Sequence, residues 1–276
     1  MTTPATHPVR IAMQLHPQHA EYRAIRAAVE RAEEIGVDIV YNWDHFYPLY
    51  GEPDGKHFEA WSMLGAWAEQ TSSIEIGCLV TCNSYRNPHL LADMARTVDH
   101  VSGGRLVLGL GAGWFRRDYE EYGYEFGTRG TRLNALAEAL PVIKDRWGKL
   151  NPAPTRRIPV LIGGTGPRKT MRIVAEHADG WHAMYPDDPG DVQVSLDALR
   201  GWCERIGRDP HDIEWGLGLE PYDRKRVLDE YADTYYELGF TQFTIGAGGP
   251  DYPFDVVEDW LAWRDHKNRS SSPHSP

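Results

Sequence analysis

The sequence predicts a single α/β domain folded as a (β/α)8 TIM barrel, and three observations carry that prediction. Eight short apolar runs are spaced along the chain, each followed by a segment with apolar residues at helical spacing. Most of these runs are continuously apolar, as strands of a parallel sheet buried on both faces must be. The length of 276 residues suits one closed barrel. An open, doubly wound sheet is the alternative, and the near-regular repeat with one long unit favours closure.

The strands are expected at residues 9–15, 37–42, 74–81, 105–110, 158–163, 180–184, 213–219 and 241–246. The helices that follow are expected at 20–35, 58–70, 89–101, 132–147, 167–177, 192–206, 224–238 and 254–266. Three helix exits share one logic, because Gly36, Gly207 and Gly239 each stand just past the last apolar residue. The fourth unit is the longest, and its excess lies in an extended loop at residues 114–131 between strand four and helix four. Such a loop would lie on the C-terminal face of the barrel, where these folds keep their active sites, and could act as a lid. The barrel domain is expected to span residues 9–267, between a flexible N-terminus at 1–8 and a disordered tail at 268–276.

Composition excludes several function classes. The formal net charge of −11 disfavours sequence-independent binding to nucleic acid or an anionic membrane. Three cysteines make no disulfide framework. The first residues lack a signal-peptide pattern and no apolar run is long enough to span a bilayer, so a soluble cytoplasmic protein is expected. No HExxH, HxH or CxxC spacing occurs, and no metal site is expected although His16, His19 and His45 could converge. Tyr235, Tyr236, Trp260 and Trp263 could line a homodimer contact, with packing against the barrel the preferred reading.

Function in a barrel lies at the strand C-termini, and three segments there carry chemistry. Asp44-His45 ends strand two, and an imidazole can pass a proton in either direction near neutrality. Gly163-Gly164-Thr165-Gly166 leads into a helix start beside Arg168 and Lys169, which makes an anion cradle suited to a phosphate. It is not a P-loop, because Arg168 stands where a Walker motif needs glycine. The third segment, Gly109-Leu-Gly-Ala-Gly113, strips side chains from the end of strand four and would let a planar or anionic group approach. Its third glycine is one residue too early for a dinucleotide fingerprint. Arg116, Arg117, Arg129 and Arg132 lie in or beside the long loop and could receive an anionic cofactor tail.

In this order and spacing, four segments resemble the luciferase-like monooxygenase superfamily, and within it the branch that uses the deazaflavin coenzyme F420. They are Trp43-Asp-His-Phe46, Thr81-Cys-Asn-Ser-Tyr-Arg-Asn-Pro88, Ser102-Gly-Gly-Arg-Leu through Gly109-Leu-Gly-Ala-Gly-Trp114, and Gly163-Gly-Thr-Gly with Ala178-Asp-Gly-Trp181. The resemblance implies a TIM barrel holding the coenzyme ring at its mouth and the phosphate under Gly163–Gly166. It assigns His45 to the position beside the hydride-carrying carbon and Asp44 to a ring contact. It assigns Cys78-Leu79 to a non-proline cis peptide behind the ring, and Gly111, Ala112 and Gly113 to backbone contacts. Two departures matter. Leu49 stands where the family's sugar-phosphate and alcohol dehydrogenases carry a tryptophan, and Trp114 stands where they carry an acid. Indole cannot exchange a proton at neutral pH. Those two substrate classes are therefore put in question, while the hydride-carrier role stands.

The resulting expectation is hydride transfer between F420 and an unidentified small organic substrate. His45 would serve the proton step. Leu49, Trp114, Tyr47 and Tyr50 would shape the substrate pocket, and Gln14, His16 and Asn83 would orient a polar group. The alternatives are an FMN-dependent monooxygenase and a non-catalytic F420-binding protein.

Overall fold

A computed structural model describes residues 7–220 and 222–271. The parallel strands are β1 Arg10–Leu15, β2 Ile39–Asn42, β3 Glu75–Cys78, β4 Thr81–Cys82, β5 Leu106–Gly111, β6 Val160–Gly163, β7 Gly180–Ala183, β8 Glu214–Leu219 and β9 Phe240–Ala247. They follow in the order β3-β2-β1-β9-β8-β7-β6-β5-β4, and β3 also pairs with β5. That last pairing closes the ring. Because β4 continues the line of β3 against β5, the nine segments make eight staves, as the sequence predicts.

The helices α1 Tyr22–Glu34, α2 Ala60–Gln70, α3 Pro88–Val101, α5 Arg129–Trp147, α6 Lys169–His177 and α7 Gln193–Ile206 fall where the periodicity places them, with small shifts at their starts. Those shifts have local causes. Asn87 caps α3 with Pro88 at its first turn, and Thr128 and Thr131 form a capping box that starts α5 ahead of Arg132. Gly36, Gly207 and Gly239 all have positive φ, as the exits require.

Four features differ from expectation. Strand three is broken into β3 and β4. The extended loop contains a short helix, α4 Arg116–Tyr122. The eighth-strand approach is two helices, α8 Arg224–Glu230 and α9 Ala232–Leu238, divided at Tyr231. The last helix, α10 Val257–Ser271, runs past His266, so residues 268–271 are helical rather than disordered. Asn268 explains the extension: its amide accepts from the Val9 N–H at 2.8 Å and donates to the Val9 carbonyl at 2.9 Å, fastening the helix to the start of β1. Residues 1–6 and 272–276 lie outside the described residues.

The main core lies between the strands and the helices, where Trp67, Trp181, Trp215 and Trp260 are fully buried. Tyr235 and Trp260 belong to that core, and Tyr236 and Trp263 pack against it, in accord with the preferred reading of these aromatics. Inside the barrel the filling is smaller: Ala12, Ile39, Tyr41, Leu79, Val107 and Leu161, with Val80 above them. At the N-terminal end Arg10 joins Glu75 and Glu214, each at 2.5 Å. One end of the barrel interior is thus filled by apolar and ionic layers. The other is open. Among the described residues no helix is long and apolar enough to cross a membrane.

Candidate active site

A cavity of about 590 Å³ occupies the C-terminal mouth of the barrel. Its floor comes from the break in strand three. The Leu79 N–H still bonds the Asn42 carbonyl at 2.8 Å, so the β2–β3 ladder holds through Leu79. The cis peptide is Leu79–Val80, one residue later than the expected Cys78–Leu79. Val80 is turned toward the sheet's interior by this break. A Cβ at Gly111 would lie 2.6 Å from Val80 Cγ2, and one at Gly163 would lie 3.0 Å from Val80 Cγ1. A Cβ at Gly109 would lie 2.1 Å from the Cys78 carbonyl oxygen. The glycines ending β5 and β6 thus make room first for the protein's own bulge. The pocket wall beside them is Leu79, Val80, Ala112 and the glycine backbone.

His45 lies at the rim and is nearly buried. Its Nδ1 is 2.7 Å from Asp118 Oδ2, which also accepts the Tyr85 hydroxyl at 3.0 Å. The Phe46 N–H donates to the other oxygen of Asp118 at 3.1 Å. A carboxylate that only accepts fixes the proton on Nδ1, and Nε2 is left as the group that can take or give a proton. Trp43, Trp114 and Phe115 stand edge-on to the imidazole at 6.3, 5.7 and 5.5 Å. Trp114 remains largely exposed at the mouth.

Asp118 comes from α4, inside the extended loop. That loop is fastened to the barrel. The Arg117 guanidinium lies 3.8 Å over the Tyr47 ring and donates to the Pro53 carbonyl at 2.6 Å, and Asp54 is its ion partner. Tyr119 is buried beneath α4, with its hydroxyl 3.2 Å from Cys82 Sγ. A Cβ at Gly113 would strike that hydroxyl at 2.0 Å, which is why this position, at φ +79°, has no side chain.

Asp44 is not free to meet a ligand. Arg86 grips both carboxylate oxygens at 2.5 and 3.0 Å, and the Cys82 N–H adds a bond at 2.9 Å. Burial pushes this carboxyl up, and Arg86 draws it back. With its guanidinium and N–H partners arranged around both oxygens, Asp44 is a strut between the residues just past β2 and the end of β4.

The opposite wall is built from Gln14 of β1, from residues just beyond the ends of β1, β7 and β8, and from Tyr50 in the segment after β2. His16 stacks on Trp43 at 4.3 Å, and its Nδ1 is 2.6 Å from the Tyr50 hydroxyl. Burial pushes this imidazole down to about 4, so it is neutral at physiological pH, and its buried Nε2 has no hydrogen-bond partner among the described residues. Tyr185, at φ +46°, donates its hydroxyl to Gln14 Oε1 at 2.5 Å, and Gln14 Nε2 donates to the Leu79 carbonyl at 2.6 Å. Gln14 is a brace between this wall and the floor. Glu220 follows β8 and is half-buried in the cavity lining, and burial pushes its carboxyl up.

The sequence matches the family model of luciferase-like monooxygenases over residues 1–247. The chain belongs to this family. Its relatives include an uncharacterized protein of Mycobacterium tuberculosis, 30% identical over 80% of this chain and 86% of its own length. An F420-dependent hydroxymycolic acid dehydrogenase of the same species is 28% identical over 75% of this chain and 62% of its own. The fold matches the structure of an F420-dependent secondary alcohol dehydrogenase in complex with an F420-acetone adduct, with TM-score 0.78, 18% identity and coverage of 92% and 98%. It also matches an EDTA monooxygenase from Chelativorans sp. BNC1, with TM-score 0.77, 12% identity and coverage of 98% and 96%.

Within this luciferase-like barrel the expected site residues divide clearly. Gln14, His16, Asp44, His45, Leu49, Leu79, Gly111, Ala112, Gly113, Trp114, Gly163, Gly164 and Thr165 all line the cavity. Cys78, Asn83, Gly166 and Arg168 do not. Cys78 faces the outer core because the strand still alternates normally there. Asn83 enters a 3-10 turn outside the mouth. Arg168 is exposed at the start of α6. Of the loop arginines expected to receive an anionic tail, Arg129 and Arg132 line the cavity from α5, and Arg116 and Arg117 do not. Gly164 is less bare than expected, because its N–H bonds the His182 carbonyl at 3.0 Å. Tyr50 joins the lining, Tyr47 does not, and His19 turns away to bond the Tyr50 carbonyl at 2.7 Å. The chief omission of the sequence reading is Asp118, which one charged loop residue among several did not distinguish.

Proposed function

We propose that this protein is an oxidoreductase that uses F420 as hydride carrier toward a small organic substrate. The observation that carries the reading is the His45–Asp118 pair, set at the rim of an apolar-floored cavity whose far end is cationic. Imidazole plus orienting carboxylate is a proton-transfer device, and a cavity of this size holds a cofactor ring with space beside it. The sequence relatives named as F420-dependent enzymes support the deazaflavin over FMN.

The residues present fit such a group. Leu79, Val80 and Ala112 offer a flat apolar surface. Arg129, Arg132 and Thr165 would hold an anionic tail, and among the described residues neither arginine has an ion partner. Arg132 is held in place by the Gly113 and Phe126 carbonyls at 3.1 and 2.8 Å. When bound, F420 supplies the hydride acceptor or donor. The protein's own contribution is to exclude water with Trp43, Leu49 and Trp114, and to move a proton at His45 Nε2.

Titration of the purified protein with F420, and separately with FMN, tests this reading by the coenzyme's visible absorbance. Saturable binding of F420 without binding of FMN is expected. FMN bound in its place would turn the assignment to a monooxygenase. Reduced F420 on the protein should then be oxidised by members of a quinone, enone and imine panel. Bound coenzyme that no compound oxidises would leave a carrier protein instead.

A further inference from the structure

Across the cavity from His45, the charges are arranged asymmetrically. The cradle end carries Arg129 and Arg132. The opposite wall carries Glu220, the first residue beyond β8, whose backbone carbonyl accepts from the Asp223 and Arg224 N–H groups at 3.0 and 3.2 Å. That turn fixes where the side chain starts. Arg224, the nearest cation in sequence, is directed elsewhere, to Asp255 at 2.8 Å and toward the Gly246 carbonyl. Among the described residues no hydrogen bond or ion pair reaches the Glu220 carboxylate.

Its neighbours in the cavity are phenols. Glu220, Tyr50 and Tyr185 line the same cavity, and burial, with the Glu220 carboxylate second, makes both hydroxyls harder to ionise. Each phenol is already oriented by another group, Tyr50 by His16 and Tyr185 by Gln14. The wall therefore presents one carboxylate, phenol oxygens with lone pairs to offer, and the aromatic faces of Tyr50 and Trp43. His16 adds no positive charge, because it is neutral. A half-buried carboxylate without a cation is costly, and a ligand that supplies the cation recovers that cost.

We propose that Glu220, Tyr50 and Tyr185 form an ammonium-recognising subsite, so that the substrate class is compounds bearing a protonated amine. This deepens the oxidoreductase reading and rests on it for the word substrate. The recognition itself does not require the coenzyme. Carboxylate, phenol oxygens and ring faces are the groups that bind an alkylammonium, and the same wall disfavours a carboxylate or phosphate.

Calorimetry with matched probes tests the proposal on the whole protein without coenzyme. Benzylammonium and benzyl alcohol have the same ring and nearly the same size, and both suit a lining of Trp43, Leu49 and Trp114. Near neutral pH the wild type should bind benzylammonium at least about tenfold more tightly than benzyl alcohol, the range of one charge-assisted hydrogen bond. Glu220→Gln keeps the shape and should abolish the preference, while Glu220→Asp should keep part of it. Equal binding of the two probes by the wild type, or a preference that survives Glu220→Gln, would overturn the assignment. So would a wild type that prefers the alcohol, because the carboxyl would then be acting as a neutral donor. F420 titration of the same samples separates the two readings: a wild type that discriminates the probes but ignores F420 retains the subsite and loses the coenzyme.

Discussion

The two walls of the cavity are made by opposite means. On the β3–β6 side the shape comes from what is missing: Gly109, Gly111 and Gly163 leave room for Val80 and the Cys78 carbonyl. On the β1, β7 and β8 side it comes from what is present, namely His16, Tyr50, Tyr185 and Glu220. The first wall is determined by steric exclusion between backbone segments and tolerates little. The second is a set of side chains braced by one another, and it can change chemistry without changing the barrel. A flat group common to many reactions belongs against the first, and the part that varies belongs against the second.

The comparison breaks most readily at Gly109. A methyl there would press on a backbone oxygen that cannot move without breaking the β3 ladder. Gly109→Ala should therefore lose at least about 3 kcal/mol, at the top of the range for overpacking, and thermal melting measures it. Gly109→Ala melting like the wild type would show that the bulge is soft and the first wall is not set by exclusion.

Chemistry at the junction of the walls should respond next. Asp118→Asn keeps the size but can present an amide N–H to His45 Nδ1 and so favour the wrong tautomer. A loss of about 10²-fold in the hydride-transfer step is expected with F420 binding retained, within the usual range for a positioned acid–base group. Rapid-mixing kinetics of the bound reduced coenzyme with its acceptor report it.

The second wall should announce itself through pH. Burial holds His16 down to about 4 and His182 to about 3, whereas both titrate near 6.5 when unfolded. The unfolded chain thus binds protons that the native state refuses. Stability is intact above the unfolded pKa and falls as pH drops through the window from 6.5 toward 4. His16 alone contributes up to about 3 kcal/mol of that loss. His16→Gln should flatten this part of the stability–pH curve in denaturant titrations, and an unchanged slope would remove His16 from the account.

The smallest effect is expected at the brace. Tyr185→Phe removes the donor to Gln14 Oε1 and should cost about 1 kcal/mol of unfolding free energy, measured by urea titration. A larger loss would mean that the brace carries the floor as well as the wall.

The difference between the walls also explains what could be read in the sequence. Continuous apolar runs and glycine exits reveal a parallel barrel because burial and φ act locally. The Gly109–Gly113 segment reveals a close approach for the same reason, but the pattern does not say what approaches. The groups that do so are the Cys78 carbonyl at Gly109, Val80 at Gly111 and the Tyr119 hydroxyl at Gly113, and the break in the stave that carries Val80 leaves no mark in an apolar run. Asp118 was unreadable for another reason: it is one acid among four in residues 118–125, and only its burial against Tyr85 and Phe46 sets it apart. Of the cations the sequence offered for an anionic tail, Arg129 and Arg132 line the cavity, whereas Arg168, beside the cradle in sequence, does not.

The Arg117 latch on Tyr47 and Pro53 holds α4 against the barrel, and α4 supplies the carboxylate that orients His45. The imidazole belongs to a stave, but its tautomer is set by an inserted segment. Exchanging that insertion for one of different sequence would retune the proton-transfer group while every barrel residue stayed in place, so descendants of this scaffold can diverge in acid–base character through a loop alone.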